Sequence, residues 1–79
     1  MQKNTILSKL KLDTYAKIID ITCNSTDRRR FLDLGLIKGT TIKPIFRSPL
    51  GDPTAYEVRK SIIALREEDA SKIKVRKIF

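Results

Sequence analysis

Seventy-nine residues, 41% of them hydrophobic, can bury one core but not two, so one domain over residues 1–79 is expected. The lone thiol, Cys23, cannot close an intramolecular disulfide, and no apolar run approaches the ~20 residues that span a bilayer. The formal net charge of +8 invites a nucleic-acid partner, but it is unevenly placed: residues 1–12 carry +3, residues 72–79 carry +4, and the stretch between them only +1. The opening MQKNTILSKLKLDT has lysines but no apolar h-region, so it is not a signal peptide, and a cytoplasmic chain is expected.

The elements follow in chain order. YAKIIDIT (residues 15–22), rich in isoleucine and stopped by CNST, predicts a strand. Ser25 or Thr26 can cap a helix with Asp27 in its first turn, and Gly35 can end it in a left-handed conformation, so a helix over about 25–34 is expected. TIKPIFR (41–47) predicts a strand in which Pro44 requires an edge or a bulge. SPLGDP (48–53) reads as a stiff turn, since two prolines bracket Gly-Asp. TAYEVR (54–59) alternates, with Tyr56 and Val58 on one face, and SIIALR (61–66) follows a tight connection. EEDASKI predicts one helical turn over about 67–72, and IKVRKI (73–78) a last strand with Ile73 and Val75 inward and Lys74 and Arg76 outward. Five short strands and little helix predict a mainly β fold, a small barrel.

The run Arg28-Arg29-Arg30 can be read on a helical wheel. With Arg28 at 0° and about 100° per residue, Phe31 falls near 300°, Leu32 near 40° and Leu34 near 240°. The apolar arc then runs from Leu34 through Phe31 to Leu32, which places Leu32 in the core. Asp27 and Arg30 pair at i,i+3, and Arg29 and Asp33 lie on the wet side. Arg28 sits at the mouth of the arc, stem over the core and head in water. The segment has no aromatic platform for single strands, so a solvated helix face is the stronger reading and nucleic acid the weaker.

RRRFLDLGLIKGT, then PIFRSPLGDP, then YEVR and IALREEDASKI together resemble the FeoA family, the small ferrous iron transport protein A. The resemblance runs from about Leu7 to Val75 and rests on Arg30 with Phe31-Leu32, Leu34-Gly35-Leu36, Gly39-Thr40, Pro49 to Pro53, Ala64-Leu65-Arg66, and Asp69, Ala70 and Ile73. The sequence departs from the family pattern at Leu12-Asp13, where Pro-Gly is usual; at Lys60-Ser61, where a hairpin glycine is frequent; and at Pro44 inside a strand. The resemblance implies an SH3-like, five-stranded barrel. It also implies an accessory role beside FeoB, a membrane ferrous iron permease with a cytoplasmic G-protein domain, at the inner face of the membrane. The same fold occurs in the C-terminal domain of diphtheria-toxin-repressor-type regulators, a weaker match because no helix-turn-helix precedes these residues.

The residues offer little chemistry of their own. There is no histidine, and Glu67, Glu68 and Asp69 are adjacent on a helical turn and so diverge, which argues against a dedicated metal site or cofactor. No nucleophile–base pair or phosphate loop is present, so no enzymatic activity is expected; PLGDP has two prolines where amide donors would be needed. With two tyrosines and no tryptophan, a groove for proline-rich peptides is not expected either. Three readings remain: a protein-interaction module for the permease, a small basic RNA- or ribosome-associated barrel, and a membrane-surface adaptor acting through its terminal lysines. For partner binding the candidates are Leu50 with Gly51 and Asp52 at the tip of the stiff loop, Arg28 and Arg29 on the helix, and Lys74 and Arg76 on what is expected to be an edge strand.

Overall fold

The computed structural model describes residues 4–78. In chain order the elements are β1 (Asn4–Ile6), a 3-10 turn (Leu7–Lys9), β2 (Ala16–Ile21), α1 (Ser25–Asp33), β3 (Thr41–Arg47), β4 (Thr54–Val58), β5 (Ser61–Leu65), α2 (Glu67–Ala70) and β6 (Ile73–Lys77). One antiparallel sheet runs β1-β6-β2-β3-β4-β5. It has six strands rather than the expected five, and it is not closed, since β1 and β5 stand at its ends. β1 escapes a sequence reading because three residues are too few to show a period of two.

Alternation builds the inner face. Thr54, Tyr56 and Val58 of β4 point inward, as do Ile73 and Val75 of β6, while Lys74 and Arg76 face solvent. One cluster joins Ile18, Ile42, Tyr56, Val58, Leu65, Ile73 and Val75 to Phe31, Leu36 and Ala70 from the helical segments, so the sheet wraps around a common core. Leu7 and Leu10, three residues apart across the 3-10 turn, plug it from the N-terminal side. Pro44 is buried within an inner strand, and the register of β3 on β4 shifts between Pro44 and Phe46; the bulge absorbs the missing N–H. β6 is an inner strand between β1 and β2, not an edge, because β1 adds to its free side.

The turns follow their residues. Gly35 (φ +86°) closes α1: its N–H donates to Leu32 O and that of Leu36 to Phe31 O, a Schellman arrangement. Asp13 takes φ 66°, a conformation Asp tolerates better than most residues, and Arg59 and Lys60 both take positive φ in the two-residue β4–β5 hairpin, as a type I′ turn requires. The N-cap is Asn24, whose Oδ1 accepts from Asp27 N–H at 2.8 Å, so Ser25 and Thr26 lie inside the helix.

Leu32 is not in the core: it is 53% exposed, whereas Phe31 is fully buried. The reason lies in how α1 is rolled. Asp27 falls near 260° on the wheel and Arg30 near 200°, and both are held by partners distant in sequence, Lys72 and Asp69. The inward face is therefore centred close to Asp27, Phe31 and Leu34, and Leu32 lies far round from it. Leu36, beyond the Gly35 reversal, fills the core position in its place.

Candidate interaction surfaces

The loop between β3 and β4 is pinned at several points. Ser48 N–H donates to Pro53 O at 3.1 Å and Gly51 N–H to Ser48 O at 2.7 Å, with Gly51 at φ +88°. Asp52 Oδ1 accepts from Glu67 N–H at 2.9 Å, so its carboxylate caps α2, a job that Arg66 at the N-cap position does not do. Asp52 is thus part of the scaffold. Leu50 stands at the tip, 95% exposed, and does not fold back on the sheet.

The three arginines of α1 diverge. Arg30 grips Asp69 with both terminal nitrogens, Nη1 to Oδ2 at 3.1 Å and Nη2 to Oδ1 at 3.0 Å, and reaches Asp27 at 3.2 Å. Lys72 Nζ meets the other oxygen of Asp27 at 3.0 Å. The Arg30 guanidinium holds the Asp69 carboxyl below the ordinary carboxylate range; Lys72 first and Arg30 second do the same for Asp27. Both carboxylates in turn push the Arg30 pKa up, Asp69 foremost. This four-residue network links α1 to α2 and to the start of β6. Only its i,i+3 half, Asp27 with Arg30, is visible along the chain.

Arg28 lines a recess of about 180 Å³ with Ile21, Phe31, Leu32, Leu36, Ile37 and Lys38. Arg29 faces open solvent beside Ser25, Thr26 and Asp33. Lys74 and Arg76 share the outer face of β6, where Arg76 donates to Asn4 Oδ1 at 3.2 Å and stands opposite Lys17, a pair of like charges. The sequence-predicted residues therefore occupy separate patches: the loop tip, α1 and the outer face of β6. Among the described residues no three His, Cys, Asp or Glu side chains are grouped to hold a metal ion. No helix among them is long and apolar enough to cross a membrane.

After Leu50, the most exposed large apolar side chains among the described residues are Ile62 and Phe46. Phe46 is 60% and Ile62 67% exposed, both on the outer side of the β3–β4–β5 sheet. The bulge at Pro44 reverses the facing of Phe46, which simple alternation cannot foresee. Ile62 was legible as the second residue of an uncharged strand.

Known proteins place these features in a family. A Fe(2+) transport protein A/Fe(2+) transporter FeoB fusion protein of Porphyromonas gingivalis is 36% identical over 69 residues, which is 87% of this chain; this chain spans 8% of that relative's length. A FeoA-like protein of Clostridium acetobutylicum, solved by NMR, superposes with a TM-score of 0.88 at 32% identity, covering 100% of this chain and 92% of that one. The FeoA of Stenotrophomonas maltophilia, a prokaryotic SH3 domain protein crystallised with zinc, gives 0.78 at 29% identity, covering 90% and 88%. The architecture is accordingly SH3-like, with a sixth strand on an open sheet. The FeoA domain model matches residues 5–77, nearly the whole chain, and the chain belongs to the FeoA family.

Proposed function

We propose that this chain is a non-enzymatic, single-domain accessory protein of ferrous iron uptake, working in the cytoplasm by docking on the cytoplasmic part of a FeoB-type permease. The observation that carries this reading is the Porphyromonas relative, in which a Fe(2+) transport protein A is joined to FeoB in one chain. Covalent linkage holds two modules at high effective concentration, which is useful where their contact is functional. Leu50 supports the reading as the anchor: an exposed apolar side chain on a pinned loop loses little entropy on docking. Lys74 and Arg76, with Lys17 opposite Arg76, outnumber Asp20 opposite Lys74 and leave a positive outer face that steers the protein toward an acidic partner or the anionic inner surface of the membrane.

Capture of this protein by an immobilised FeoB cytoplasmic domain tests the reading. Leu50→Ser should weaken capture and leave the melting curve in place. Neutralising Lys74 and Arg76 should slow association at low salt and have little effect at high salt. Wild-type protein that is not retained by the domain sinks the proposal.

A further inference from the structure

β5 pairs with β4 and, among the described residues, with no other strand; the sheet order ends there. The other end of the sheet, β1, is three residues long and runs directly into a 3-10 turn, so it offers little to pair with. β5 is five residues long, and its register on β4 runs without a shift from Ser61 to Leu65. Such an edge is usually blunted by a lysine, a proline or a bulge. Ser61-Ile62-Ile63-Ala64-Leu65 has none of these.

The surface beside that edge is apolar. Register places Phe46, Ala55 and Ala64 in one outward row across β3, β4 and β5, with Lys43, Glu57 and Ile62 in the next. Lys43 neutralises Glu57 at 3.7 Å, so the second row carries no free charge next to Ile62. An arriving strand would find both open backbone groups and a shelf for its side chains.

Charge decides what arrives. Arg59 and Lys60 flank the strand at one end, and at the other Arg66 is followed by Glu67 and Glu68. A second copy, paired antiparallel about Ile63, would set Lys60 opposite Arg66 twice and Arg59 opposite Glu67 twice, so these local pairs offset, but each copy brings a net charge of +8. Two molecules of the same strong net charge repel, so self-pairing is disfavoured. We infer that the free edge of β5 is a docking site for an extended apolar segment of another protein with a carboxylate at the end that meets Arg59 and Lys60, added as a further strand beside Ile62 and Ala64. Backbone hydrogen bonds would hold the segment, and the basic turn at Arg59 and Lys60 would set its charge and place that end. The inference does not depend on the identity of the permease.

The test is a titration of the ¹⁵N-labelled full chain with the synthetic peptide acetyl-Glu-Thr-Val-Thr-Val-Thr-Glu-amide. Amide signals of residues 61–65 should shift and their hydrogen exchange should slow. Replacing both peptide glutamates by lysine should weaken binding about tenfold or more, and raising the salt should weaken the acidic peptide several-fold. Ile62→Thr, which keeps a β-branched residue opposite Glu57, should also reduce affinity several-fold with little change in melting temperature, because Ile62 packs in no core. Several outcomes would overturn the inference: no binding, equal binding of the lysine peptide, shifts confined to residues 48–53 or to the Arg28 recess, or dimerisation through β5 in place of peptide uptake. Since the probe is a synthetic peptide, a failure here leaves capture by the permease domain unaffected, and the converse holds.

Discussion

The guanidinium of Arg30 and the carboxylate of Asp69, 39 residues apart in the chain, form a two-pronged ion pair at 3.0 and 3.1 Å. Asp69 is nearly buried while Arg30 remains half exposed, so solvent screens part of the attraction. The pair sets the roll of α1 on the sheet. That roll determines which α1 side chains are core and which are surface.

Acid should weaken the fold through this pair. The folded Asp69 carboxyl titrates below its unfolded value of about 3.9. Its contribution is therefore fully present above that value and is lost as the pH falls through the folded one. Asp69→Asn should lose about 1 kcal/mol at neutral pH, and the gap to wild type should narrow as the pH falls below the ordinary carboxylate range. Urea denaturation of both proteins across that range measures it, and a gap that persists in acid would place the loss elsewhere.

Phe31 and Leu32 are neighbours in sequence with opposite fates. Phe31→Ala should cost about 3 to 4 kcal/mol, a large part of the ~4 to 8 expected for a domain of this size. Leu32→Ala should change stability by less than about 1 kcal/mol. Chemical denaturation separates the two; similar losses would mean that the helix is rolled differently.

Gly35 ends α1 at φ +86°, where a Cβ would come no closer than 3.9 Å, to Val58. The space is ordinary, so the penalty for Gly35→Ala is one of backbone conformation, about 1 to 2 kcal/mol. A melting temperature unchanged by this substitution would contradict the left-handed cap.

Asp52 caps α2 from another loop. Asp52→Ala should lower stability by about 0.5 to 1 kcal/mol and speed amide exchange at Glu67. Asp52→Asn, which keeps an acceptor oxygen, should retain most of the protection. If Asn and Ala behave alike, the oxygen is not what holds the helix start.

Local pattern carried much of the fold into view. β2, β3, β4, β5 and β6, the extent of α1, the Gly35 stop and the stiff loop at Leu50 are all legible because each depends on periodicity or turn chemistry within a few residues. Tertiary structure decided the rest. β1 became a strand because β6 offered it an edge, and Leu32 left the core because Asp69 and Lys72 hold the other side of α1. Phe46 turned outward because Pro44 forces a bulge, and Asp52 became a helix cap because α2 starts beside its loop. Hydrophobic spacing records which side chains can be buried. The choice among them is made by pairs distant in sequence, whose energies depend on a geometry that exists only once the sheet has formed.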